Sequence, residues 1–141
     1  MGKKLAHLVC VGIFLISFTS CSKESVCDTP FGTGGKVDLY MSEFAALQTV
    51  GGSLTINRGY KGIFVRRASL SEFVAFECAC PHCHEVGLQS MAGWEGGVLE
   101  CPECGSHFET VNGDPLQGSA TSCSLYQYYT YFDGYNILEI Y

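Results

Sequence analysis

Two short clusters of soft metal ligands lie near the middle of the chain. The first, Cys78-Ala79-Cys80-Pro81-His82-Cys83-His84, brings three thiols and two imidazoles into seven residues. The second, Cys101-Pro102-Glu103-Cys104-Gly105, begins 21 residues after Cys80. Each contains a Cys-x-x-Cys pair with Pro in the second place, a turn that aims two side chains at one centre. Thiolates with imidazole suit zinc or iron–sulfur ligation. Disulfide formation is the competing chemistry for closely spaced cysteines. Two Pro-containing knuckles, one of them carrying histidines, fit metal ligation better than a set of small disulfides.

The remaining cysteines of the nine are scattered. Cys10 lies in an apolar N-terminal run and Cys21 closes it. Cys27 and Cys123 have no ligand-rich neighbours, and the sequence leaves them either paired with each other or free. His84 reads as a loop-lining residue, and His107, which alternates with Phe108 on a strand, as an exposed one.

The first residues read as an export signal. Lys3 and Lys4 supply the positive end, and the apolar run 8–18 covers 11 residues, short of the roughly 20 that a spanning helix needs. Phe18-Thr19-Ser20-Cys21 resembles a bacterial lipobox, with Phe18 where Leu is usual. Residues 1–20 are therefore expected to be a lipoprotein signal peptide, Cys21 the acylated residue, and 21–35 a flexible tether rich in Ser, Thr, Gly and Pro. The expected location is the bacterial cell envelope, with a lipid anchor in the membrane. Removing Lys3 and Lys4 takes the formal charge from −6 to −8. No basic patch remains beyond Arg66-Arg67, so nucleic acid is not expected as a partner.

The clusters need a frame, and the rest of the chain supplies short strands. Apolar alternation and turn signals predict strands over 36–40, 53–57, 62–67, 73–76, 98–100, 108–111, 125–132 and 136–141, with a short helical turn opened by Ser42. Asn112-Gly113-Asp114-Pro115 is a turn, and Asp133-Gly134 a hairpin signal. The expected fold is all-β, an antiparallel sandwich or barrel occupying 36–141 and carrying metal-binding loops at about 78–108. The Tyr-rich run 126–135 reads as cross-strand packing.

The order of these features resembles the Rieske iron–sulfur domain. The resemblance rests on Cys80-Pro81-His82, on Cys101-Pro102-Glu103-Cys104-Gly105-Ser106-His107-Phe108, on 113–120 (GDPLQGSA), and on the closing Asp-Gly hairpin. It spans 36–141. It implies a [2Fe-2S] cluster with Cys80 and Cys101 on one iron and His82 and Cys104 on the other, Cys104 standing where the family has His. Ser106 is implied as a hydrogen-bond donor to the cluster, and Phe108 lacks the hydroxyl of a Tyr. Glu85 and Glu103 occupy the positions of the disulfide that ties the loops in respiratory members. An added thiolate charge implies a lowered reduction potential.

Cys80-x-x-Cys83 and Cys101-x-x-Cys104 also satisfy a zinc-ribbon or rubredoxin spacing, with Cys83 as the alternative ligand and zinc as the alternative metal. Two functions follow. One is one-electron transfer to an unidentified redox protein at the envelope. The other is a non-redox binding or structural module whose loops are stapled by zinc or stand without metal. The chain has no room for the separate catalytic domain of a Rieske oxygenase and is not expected to be an enzyme alone.

Overall fold

A computed structural model describes residues 27–91 and 97–141. The expected signal peptide 1–20 and the acyl acceptor Cys21 lie outside the described residues. Among the described residues, ten strands form three antiparallel sheets, as the all-β reading requires. They are β1 (Gly35–Asp38), β2 (Ser53–Ile56), β3 (Ile63–Arg67), β4 (Phe73–Glu77), β5 (Gln89–Met91), β6 (Val98–Glu100), β7 (His107–Glu109), β8 (Gln127–Tyr128), β9 (Thr130–Phe132) and β10 (Ile137–Ile140). A 3-10 helix, Ser42–Gln48, follows β1.

The first sheet runs β1-β10-β9, the second β2-β3-β4-β8, and the third β5-β6-β7. The second sheet lies in the middle, and side-chain alternation shows why. Ile63, Val65, Phe73 and Ala75 point into one core with Val37, Leu138 and Ile140 of the first sheet. Phe64 and Phe76, one residue out of phase, point into another core with Leu99, Phe108 and three cysteines, Cys78, Cys80 and Cys101. A strand covered on both faces reads as a continuous apolar run, which is the pattern of Ile63-Phe64-Val65.

The run 125–132, expected as one strand, is divided. Gln127 and Tyr128 pair with β4, whereas Thr130 to Phe132 pair with β10. Tyr129 between them exchanges both backbone hydrogen bonds with Tyr141. One chain segment thus stitches the first sheet to the second. The Asp133-Gly134 hairpin forms as expected, with Asp133 Oδ1 accepting from the N–H groups of Tyr135, Asn136 and Ile137.

Residues 27–34, read from composition as tether, are held against the domain. Cys27 is disulfide-bonded to Cys123, with their Cα atoms 5.5 Å apart. Thr29 is buried, Phe31 stacks on Tyr126 with ring centroids 4.1 Å apart, and the Gly32 N–H donates to Tyr128 Oη at 3.1 Å. Composition counts polar and small residues but does not register one disulfide and one stacked ring, which together order the segment.

Candidate metal centre

Both Cys clusters sit at the same end of the molecule because of the strands that lead into them. β4 delivers the first. Past its end, Cys78 N–H donates to Gly62 O at 2.8 Å, Leu88 N–H to Cys78 O at 2.7 Å, and Cys80 N–H to Val86 O at 3.0 Å. Ala79 bridges Gly87. The excursion between Cys80 and Val86 is the first knuckle. The second is the turn between β6 and β7, closed by Cys101 N–H donating to Ser106 O at 2.9 Å.

The two knuckles share one construction. In the first, His84 N–H donates to Cys80 O at 2.7 Å; in the second, Gly105 N–H donates to Cys101 O at 2.9 Å. The residue closing each turn is left-handed, φ +50° at His84 and +67° at Gly105. Glycine adopts this at no steric cost. His84 is held there with its Nε2 2.9 Å from Pro81 O. Pro81 and Pro102 fix φ just inside each turn.

This symmetry brings four thiols together. The Sγ atoms of Cys80, Cys83, Cys101 and Cys104 all lie within 4.8 Å of one another. Across the knuckles, Cys80 Sγ is 3.8 Å from Cys104 Sγ, and Cys83 Sγ is 3.9 Å from Cys101 Sγ. Cys80 and Cys101 are buried, while Cys83 and Cys104 are half-buried at the rim. This is the one group of three or more Cys, His, Asp or Glu side chains among the described residues that is close enough to hold a metal ion.

His82 is not in the group. It is exposed on the crest of the first knuckle, its Nδ1 3.5 Å from Cys83 Sγ. Cys83, the alternative ligand of the sequence reading, is in the group. Ser106 is fully buried, 3.1 Å from Cys104 Sγ, and its Oγ accepts the Ala120 N–H at 2.9 Å. The adjoining Ser119 braces the same turn, accepting the His107 N–H and donating to His107 O. His84 and His107 also lie outside the four-thiol group.

The thiols differ in their readiness to ionise. Burial pushes Cys80 up to about 11, against the pull of the Cys83 and His82 backbone N–H groups. Cys83 is raised by burial and by hydrogen bonds with Cys104 and Cys101. At Cys104 burial also opposes ionisation, but the side chain and backbone of Ser106 and the Cys101 and Cys83 thiols outweigh it, bringing it down to about 6. With Cys104 ionising readily while Cys80 and Cys83 resist, a bound cation is what would hold the group as thiolates.

Sequence reasoning passed over Glu77, whose carboxylate is fully buried at the end of β4. It accepts from Tyr60 N–H and Lys61 N–H at 2.8 Å, from Ala79 N–H at 3.2 Å, and from Tyr128 Oη at 2.6 Å. These bonds hold the approach to the first knuckle against the loop after β2 and against β8. The available signal was a lone acid ending the apolar run Phe73-Val74-Ala75-Phe76. Cys78 was also left unplaced. It is buried behind the centre, with burial pushing its thiol up to about 12, and is not one of the four.

No protein-family model matches the chain, and no curated protein matches it. What the site establishes is therefore its chemical class: a group of four cysteines able to bind a metal ion, carried on an all-β domain.

Proposed function

We propose that this chain is an envelope-tethered, Rieske-like β domain whose four thiols hold one tetrahedral metal ion, zinc, as the staple of a non-redox binding module. The mutual spacing of the four Sγ atoms carries the reading. A zinc–sulfur bond of about 2.3 Å in a regular tetrahedron sets its sulfurs about 3.8 Å apart. The cross-knuckle distances are 3.8 and 3.9 Å, and no pair in the group exceeds 4.8 Å. A two-iron cluster spreads its ligands over two metals, so thiolates on different irons lie farther apart than thiolates on one. The ligand set implied by the resemblance also needs His82, which sits exposed outside the group.

The Rieske-like part of the proposal draws support from the organisation of the sheets. A small sheet with two knuckle loops caps a two-sheet base, and the tail 113–120 braces the second knuckle through Ser119 and Ala120. The backbone hydrogen bonds of each knuckle close it on itself, and the staple ties one knuckle to the other, so that metal binding adds to the folding free energy. Export and acylation at Cys21 remain part of the proposal on the strength of the N-terminal pattern.

A second reading has its own observation. Cys83 and Cys104 are half-buried at the rim, so an iron ion in the same four-thiolate site lies close to the surface and to any docked redox partner. That arrangement supports one-electron transfer. Metal and inorganic sulfide analysis of the anaerobically purified domain, with an absorption spectrum, separates the readings. One zinc per chain, no sulfide and no colour is the expected result. One coloured iron that bleaches on reduction favours electron transfer. Two irons with two sulfides overturn the mononuclear site. His82→Ala is expected to leave the metal content intact, and Cys83→Ser to lower it.

A further inference from the structure

Each close cross-knuckle pair combines one rim thiol with one buried thiol. Cys104 at the rim faces buried Cys80 at 3.8 Å, and Cys83 at the rim faces buried Cys101 at 3.9 Å. This is the arrangement that thiol–disulfide exchange uses: an accessible sulfur that meets the oxidant, and a sheltered one that resolves the mixed disulfide. We propose that the four-thiol centre is also an oxidation switch, in which a disulfide oxidant converts it to the Cys80–Cys104 and Cys83–Cys101 disulfides and expels the metal. The inference rests on the reading of these four thiols as one metal centre.

The chemistry balances pair by pair. The Cys104 thiolate attacks one sulfur of the oxidant disulfide, forming a mixed disulfide and releasing the other half as a thiolate. Cys80 then attacks the Cys104 sulfur and releases the second half. The two zinc-held thiolates lose two electrons, and the oxidant disulfide gains them and leaves as two thiolates that take up protons from solvent. The zinc ion departs as its ligands become disulfides. Cys83 and Cys101 react in the same way with a second oxidant molecule. In each pair the resolving step closes a sulfur–sulfur gap of under 4 Å to a bond of about 2.05 Å.

The oxidised product retains the architecture. Cys80–Cys104 spans 24 residues and Cys83–Cys101 spans 18, and both tie the same two loops that the metal ties. The oxidised form is thus stapled but metal-free, and thiols return the ligands. Cys78 does not enter the exchange, because it is fully buried outside the four-thiol group. Cys27 and Cys123 are already joined.

The test uses the zinc-loaded protein treated with oxidised glutathione under nitrogen. Released zinc is followed with a chromophoric chelator, and the product is digested without reduction by a protease that cuts after glutamate. Such cleavage separates Cys101 (101–103) from Cys104 (104–109) and leaves Cys80 and Cys83 together in 78–85. The expected result is zinc release in step with thiol loss, with all three peptides held in one species and fragmentation assigning 80 to 104 and 83 to 101. Restored zinc binding after mild reduction completes the expectation. Within-knuckle disulfides, which leave 101–103 linked to 104–109 alone, overturn the proposal, as does retention of zinc with four free thiols. If the purified protein carries no zinc, the metal reading fails separately. The pairing is then tested on the reduced, metal-free protein with the same map.

Discussion

Glu77→Gln isolates the buried carboxylate from every other feature of the fold, because it changes charge and hydrogen bonding at constant shape. The carboxylate receives four donors: Tyr60 N–H and Tyr128 Oη on Oε2, and Lys61 N–H and Ala79 N–H on Oε1. A glutamine amide offers only one oxygen. With its nitrogen in the place of Oε1, it faces two backbone N–H groups that have no alternative. With its nitrogen in the place of Oε2, it faces Tyr60 N–H and a Tyr128 hydroxyl that can turn to accept. The second orientation is better and strands one buried donor, at about 1–3 kcal/mol. The remaining bonds go to a neutral carbonyl and lose roughly half their strength. The neutral amide is in turn less costly to bury than the carboxylate. The expected net loss is about 2–4 kcal/mol, a large part of the roughly 5–15 kcal/mol that holds a domain together. Denaturant unfolding of the metal-loaded protein, followed by far-ultraviolet circular dichroism, measures it. Tyr128→Phe removes one donor to Glu77 and leaves the Gly32 N–H without its acceptor, so it is destabilising as well. Because the two side chains share a bond, the double variant loses less than the sum of the single ones. A Glu77→Gln stability within about 0.5 kcal/mol of the parent, or strict additivity with Tyr128→Phe, refutes the reasoning.

Replacing both Cys27 and Cys123 by Ser opens a disulfide that spans 96 residues, and a loss of about 2–5 kcal/mol is expected from the denatured-chain entropy it restrains, checked by the same unfolding experiment. Gly105→Ala tests the second knuckle's backbone alone: a Cβ there meets no atom within 4 Å, but φ is +67°, so a loss of about 1–2 kcal/mol is expected from conformation rather than contact. Metal binding requires all four thiolates, so protons are released on binding and affinity falls as pH falls. Cys104, brought down to about 6, is protonated as pH falls through that value, and zinc release is expected on acidification from pH 7.5 to 5, measured by chelator absorbance.

The sheets were legible where a strand has one dry face or a marked turn. Asp133-Gly134 announces its hairpin because an aspartate oxygen and a glycine are what that turn needs. The passage of the chain from one sheet to another at Tyr129 was not legible, since 125–132 contains no Gly, Pro, Asn or Asp to mark a break and only long-range pairing decides where its residues go. Glu77 was hidden for the same reason. Three of its donors, Tyr60, Lys61 and Tyr128, stand 17, 16 and 51 positions away and leave no local pattern. Cys27 and Cys123 carry no ligand-like neighbours, so only their spatial approach identifies them as partners.

The metal ligands show most clearly what residue type leaves undecided. The Rieske resemblance implies Cys80, His82, Cys101 and Cys104, the Cys-x-x-Cys spacing offers Cys83 instead of His82, and imidazole and thiolate both suit these metals. Turn geometry discriminates between His82 and Cys83. In the second knuckle the hydrogen bond from the fifth residue to the first turns the fourth residue, Cys104, toward the first. His84 makes the same bond in the first knuckle, so the fourth residue there is Cys83, and His82 falls on the crest with Glu103 as its counterpart. A one-residue change of ligand position within a tight turn is a change of direction rather than of distance. His82 Nδ1 lies 3.5 Å from Cys83 Sγ, beside the group rather than in it. The His84 N–H to Cys80 O bond of 2.7 Å and the left-handed His84 set Cys83 as the fourth residue of the turn. The bond that closes the first knuckle thus sets Cys83, rather than His82, within the four-thiol group, and this is the reason a four-thiolate metal site is proposed in preference to one with a histidine ligand.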